Sequence, residues 1–134
     1  MHCLRNAACL ALAASAALGL PALAQGRIPD MQQAGVLRYS CGGIGEDEST
    51  LMRAAMKDYP LSLLFAQKDG AYLANVAVEV SSGKDSSRFT ANGPVCLIQL
   101  PAGSYKITAT TKEGSSQTQT AEIGKGPHQL DFRY

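Results

Sequence analysis

An excess of charge of either sign is missing from this chain, which sets 12 Lys and Arg against 11 Asp and Glu. No basic cluster and no run of interleaved aromatics could track a phosphate backbone, so nucleic acid is not expected as a partner. Histidine is scarce, with only 2 in the sequence, His2 and His128. A zinc peptidase needs at least three ligands on a shared site, and neither His-x-x-Glu nor His-Glu-x-x-His occurs. No Gly-x-Ser-x-Gly elbow appears, so His128 alone would have to serve any serine triad. After residue 20 no apolar run approaches the 20 or so residues that span a bilayer, so no membrane span is expected. These absences leave no assembled catalytic constellation, and the chain reads as a non-enzyme without cofactor or metal.

What is present begins with an address. Arg5 precedes an apolar run from Ala7 to Leu20, followed by Pro21 and the small-x-small triplet Ala22-Leu23-Ala24. This pattern reads as a secretory signal peptide over residues 1–24, cut after Ala24. Cys3 and Cys9 lie before or at the start of the run, whereas a lipoprotein acceptor cysteine would follow it. Arg5 leaves with the leader, so the mature net charge is about zero. Cys41 and Cys96 remain, in a chain sent to an oxidising compartment, and are expected to form a disulfide. The alternative is a buried thiol at 96 and an exposed one at 41.

Residues 25–45 read as an extended leader ending in the glycine-rich turn Cys41-Gly42-Gly43-Ile44-Gly45. Leu51, Met52, Ala55 and Met56 then fall at helical spacing, which predicts one amphipathic helix over 47–57. Glu46, Asp47 and Glu48 stand where the unsatisfied amides of a helix N-terminus favour negative charge. Tyr59-Pro60 ends the helix, because proline disfavours helical backbone in the residue before it. Beyond Pro60 the chain alternates short β-rich runs with turn clusters. The runs are 61–67, 71–81, 88–90, 95–100, 104–111, 116–123 and 129–134, and the first two, joined by Lys68-Asp69-Gly70, suggest a hairpin. Seven short strands at this spacing argue an all-β sandwich over 46–134 with one short N-terminal helix. The polar stretch Ser115 to Thr120 reads as a solvated edge face.

Ala71-Tyr72-Leu73-Ala74-Asn75-Val76-Ala77-Val78, Asn92-Gly93-Pro94, and Leu100-Pro101-Ala102-Gly103-Ser104-Tyr105-Lys106-Ile107-Thr108-Ala109 together resemble the carboxypeptidase regulatory-like family. The resemblance covers about 61–134, is sharpest at Leu100–Tyr105, and implies a seven-stranded transthyretin-like, Ig-like β-sandwich without protease activity. Pro101, Gly103 and Tyr105 carry its structural turn: proline ends a strand, glycine admits positive φ, and the aromatic covers the core. The leader, the Cys41–Ser49 stretch and the terminal Asp131-Phe132-Arg133-Tyr134 resemble small exported proteins of Gram-negative bacteria, which implies the periplasm. A transthyretin-like hydrolase of purine breakdown would carry paired histidines and a Tyr-Arg-Gly-Ser tail, and this chain has neither. An internal Lys–Asn isopeptide bond would need an asparagine that the last strand lacks.

Glu46, Asp47 and Glu48 could meet a partner, and an envelope protein is the expected one. Calcium is disfavoured, because the cluster lacks the spaced Asp/Asn pattern of a binding loop. An exposed sheet edge is a second candidate contact surface. The first alternative is a small-molecule or carbohydrate-binding protein, with Tyr39, Tyr59, Tyr72 and Tyr105 available to line a site. The second is an unrecognised hydrolase, which would require His128 to stand near serine or aspartate side chains.

Overall fold

A computed structural model describes residues 27–134; the signal-peptide reading of 1–24 lies outside the described residues. The described residues form nine strands, one α-helix and a 3-10 turn. The strands are β1 (Gln32–Ala34), β2 (Leu37–Gly42), β3 (Leu61–Ala66), β4 (Val76–Ser82), β5 (Asp85–Ala91), β6 (Val95–Gln99), β7 (Gly103–Thr110), β8 (Ser116–Ile123) and β9 (His128–Arg133). Helix α1 (Glu46–Ala55) runs into the 3-10 turn Met56–Asp58, one residue off the predicted span at each end. A five-stranded sheet has the order β1-β2-β6-β3-β9, and a four-stranded sheet the order β5-β4-β7-β8.

The smaller sheet follows directly from alternation. Val76, Val78 and Val80 of β4 and Tyr105, Ile107 and Ala109 of β7 are buried, with more exposed residues between them. A strand sends alternate side chains to opposite faces, so one face enters the core and the other meets water. In the larger sheet all six residues of β3, Leu-Ser-Leu-Leu-Phe-Ala, are buried. Leu61, Leu63 and Phe65 join the inter-sheet core, while Leu64, Val95 and Leu97 pack with Met52 and Met56 on the opposite face. That second face is where α1 docks. Ser62, buried there, donates its hydroxyl hydrogen to the Met56 carbonyl (3.1 Å), which satisfies the one polar side chain of β3.

Four sequence expectations change. The segment read as a leader supplies β1 and β2, which brings the strand count from seven to nine. Leu37 and Cys41 of β2 belong to the inter-sheet core, with Tyr39 packed against it, and the strand pairs antiparallel with β6. Cys41 is therefore a strand residue directly opposite Cys96, and the two form a disulfide. The bridge staples neighbouring strands of one sheet rather than a loop to a sheet. On the loop-closure model a separation of 55 residues stabilises by roughly 4 kcal/mol.

The expected hairpin of 61–67 with 71–81 does not form. The turn itself closes, with the Gln67 N–H donating to the Ala71 carbonyl and an isolated bridge from Ala66 to Tyr72. The chain then crosses to the other sheet, where β4 pairs with β5 and β7. Turn chemistry specifies a reversal, and burial of the valines of β4 decides which sheet receives the returning strand.

The polar edge at Ser115 to Thr120 divides its faces between two tasks. Thr118 meets Thr108 and Ser116 meets Thr110 through hydroxyl contacts of 2.9 and 2.6 Å on the outer face. Gln117 and Gln119 point the other way and donate to the Arg133 and Asp131 carbonyls of β9 at 2.5 and 2.7 Å. Two side-chain amides thus bridge the edges of the two sheets where no backbone ladder joins them, and they occupy carbonyls that an added strand would need.

The turn before β7 brings Tyr105 back on its own chain. Gly103 sits at φ +155°, in the range that L side chains rarely adopt. The buried Tyr105 donates its phenol hydrogen to the Pro101 carbonyl (2.7 Å). Burial raises the Tyr105 phenol above its ordinary value. Gly93, in the β5–β6 turn, allows a closer approach still: a Cβ there would lie 2.3 Å from the Gly42 carbonyl oxygen. The Asn92-Gly93-Pro94 turn is thereby pressed against the strand that leads into α1.

Candidate functional site

The first turn of α1 holds the three acids singled out from the sequence, and they do not act alike. Gly45, at φ +90°, precedes the helix and provides no capping side chain. Glu48 reaches back, and its Oε1 accepts the Gly43 N–H at 2.7 Å. A glutamate at the third helical position commonly satisfies a donor ahead of the helix in this way, here two residues further upstream than in the usual capping box. Glu48 is therefore a structural residue. Glu46 and Asp47 are exposed and make no side-chain hydrogen bond or ion pair among the described residues. Ile44, just ahead of them, is 65 % exposed.

One flank of the helix faces Tyr72, on the segment that crosses between the sheets. Gly45, Glu46, Ser49, Thr50, Arg53 and Tyr72 line an open groove of about 650 Å³. The Arg53 guanidinium donates to the Tyr72 hydroxyl and lies 5.9 Å from the centre of its ring. The Ser49 hydroxyl above all, with help from Arg53 and Arg133, holds the Tyr72 phenol below its usual range, against an opposing effect of burial that is second in size only to that of Ser49. Tyr72 keeps 43 % of its surface exposed. Sequence reading named Tyr72 only as an available aromatic and did not single out Arg53, because 19 residues separate the two.

The other tyrosines are engaged in the fold. Tyr39 stacks on Phe89 with ring centroids 4.1 Å apart, which joins β2 to β5 across the edge of the sandwich. Tyr59 packs against the cluster beneath α1, and Tyr105 and Tyr134 bond to backbone carbonyls. His128 opens β9, where its backbone N–H donates to the Pro60 carbonyl at 3.0 Å. Its groove is lined by Arg53, Ala54, Met56, Lys57, Pro127 and Gln129, with no serine or aspartate among them.

Among the described residues, no group of three or more His, Cys, Asp and Glu could hold a metal ion. None of their helices is long and apolar enough to cross a membrane. On the smaller sheet's outer face, Glu79 accepts from Ser86 at 2.7 Å and pairs with Arg88 at 3.1 Å. Ser86 and then Arg88 hold its carboxyl below the usual range. Both partners sit on the β4–β5 hairpin, where solvent screens so exposed a pair and leaves it little weight in stability. Comparison of the chain with protein-family models and with curated proteins finds no match to either.

Proposed function

We propose that this chain is a non-enzymatic, transthyretin-like β-sandwich module of the periplasm that binds another envelope protein through the entrance of α1. The observation that carries this reading is the division of labour among the three acids. Glu48 is held by the fold, while Glu46 and Asp47 project beside the exposed Ile44 with no internal partner among the described residues. Charged groups that rim an exposed apolar side chain suit a protein contact, since the apolar group contributes burial and the charges select the partner. The sandwich type is supported by the Leu100–Tyr105 turn, in which Tyr105 returns to the Pro101 carbonyl. Export is inferred from the leader pattern, with which the Cys41–Cys96 disulfide agrees.

Cross-linking in cells, followed by recovery of the tagged protein, tests the reading. A specific envelope protein should be recovered with the wild type and lost with Glu46→Gln/Asp47→Asn, which leaves the Glu48 contact intact. Equal recovery with both would move the contact elsewhere, and recovery of nothing specific would remove the protein-binding reading. A carbohydrate-binding reading comes second, favoured by the half-exposed Tyr72 ring in a groove with the Ser49 and Thr50 hydroxyls. Soluble glycan fragments that quench Tyr72 fluorescence would favour it.

A further inference from the structure

The sequence holds 5 tyrosines, and the fold sorts them by what each phenol does. Tyr39 donates its hydroxyl hydrogen to the Gln32 amide oxygen at 3.2 Å, Tyr105 to the Pro101 carbonyl at 2.7 Å and Tyr134 to the Ala109 carbonyl at 2.6 Å. Tyr59 lies against the apolar cluster beneath α1. A phenol that donates to a neutral oxygen, or rests on apolar surface, loses that support when it ionises.

Tyr72 has the opposite arrangement. Its oxygen accepts a hydrogen bond from the Arg53 guanidinium, which lies 5.9 Å from the ring centre. A cationic donor stabilises an oxygen most when that oxygen is negative. No carboxylate forms a salt bridge with Arg53 among the described residues, so its charge is not cancelled by a close partner. The Ser49 hydroxyl above all, with Arg53 from α1 and Arg133 from β9, outweighs burial and makes the Tyr72 phenol easier to ionise, whereas burial makes Tyr105 and Tyr134 harder. Glu46 is the one acid in the same groove lining. Access is also provided, because Tyr72 is 43 % exposed and opens on the groove that holds the Ser49 and Thr50 side chains.

We infer that Tyr72 is a nucleophilic site of covalent modification, at which the phenol oxygen takes the acyl group of a small activated acyl donor that enters this groove. The Tyr72 oxygen attacks the acyl carbonyl carbon and a C–O bond forms, giving an aryl ester. The bond to the leaving group breaks, and that group departs with the bonding electrons and takes up the phenol proton. Arg53 and Ser49 are positioning residues that support the oxygen as its proton leaves. The site does not depend on the protein contact proposed at the helix entrance, and either can fail without the other.

Acetylation of the purified protein with N-acetylimidazole near neutral pH, read by peptide mass spectrometry, tests it. Tyr72 should be acetylated ahead of the other tyrosines, and hydroxylamine, which cleaves aryl esters and spares the amides formed on lysine, should remove the group. Exposure alone would let Arg53→Gln react at least as fast as the wild type, since the substitution uncovers the phenol. The inference requires the reverse. Arg53→Gln and Ser49→Ala should each slow acetylation of Tyr72 about three-fold and move its pH profile upward, and Arg53→Lys should restore part of the rate. The inference is overturned if another tyrosine leads in the wild type, or if neither Arg53→Gln nor Ser49→Ala slows the reaction.

Discussion

The two sheets differ in strand length, 3 to 6 residues in the larger against 7 to 8 in the smaller, and in their surroundings. The larger one is covered on both faces, by the smaller sheet on one and by α1 on the other. The smaller is covered on one face only, and its strands alternate buried and exposed residues along most of their length. Cover determines what a strand looks like in sequence. Where helix and sheet both pack on it, as on β3, alternation gives way to a continuous apolar run. The disulfide also lies in the larger sheet, so stabilising contacts concentrate there.

Removal of the disulfide should have the largest effect on this asymmetry. Cys41→Ala/Cys96→Ala is expected to lower unfolding free energy by about 4 kcal/mol, read from the urea midpoint. A loss below about 1 kcal/mol would mean that the larger sheet holds together without its staple. Met52→Ala comes next: its side chain is fully buried between α1 and the larger sheet, and truncation should cost about 3 kcal/mol. If calorimetry found almost no change, α1 would be an appendage and the larger sheet would be one-sided like its neighbour.

Tyr105→Phe probes the smaller sheet's end, where loss of the bond to the Pro101 carbonyl should cost about 1 kcal/mol. It carries a pH signature. Burial raises the Tyr105 and Tyr134 phenols above the ordinary value of 10.0, so the unfolded chain loses these protons first as pH climbs. Their favourable contribution is complete below about pH 10 and is lost as pH rises through the folded values. Denaturation midpoints across that range should fall less steeply in Tyr105→Phe than in the wild type. An identical slope would mean that Tyr105 ionises as freely in the fold as outside it. The smallest effect belongs to Thr108→Val on the wet outer face, expected within about 0.5 kcal/mol by thermal melting. A loss above 1 kcal/mol would reveal that this face is covered.

Legibility from sequence follows the same division. β4 and β7 were readable because their alternation extends over several pairs between turn residues. β3 was readable as an apolar run bounded by Pro60 and Gly70, although its two-sided burial was not. β2 was missed. Its alternation, Leu37, Tyr39, Cys41, is brief, and glycines on both sides resemble a linker. The acids of α1 were readable because a helix N-terminus places them by local rules. The distinct role of Glu48 was not, since it depends on where the Gly43 amide points. Arg53 and Tyr72 meet only because the helix docks beside the segment that crosses between the sheets.

Local chemistry in the chain is sufficient for the helix and its stop at Pro60, for most of the strands, and for the turn that carries Tyr105. Each depends on backbone preference and side-chain period within a few residues. The assignment of β3 and β4 to different sheets, the register that sets Cys41 opposite Cys96, and the amide bridges from β8 to β9 arise only on packing. So do both grooves beside α1. The physical reason is range: these features join residues distant in sequence, and burial of two apolar faces against each other selects one arrangement among the many that the local signals allow.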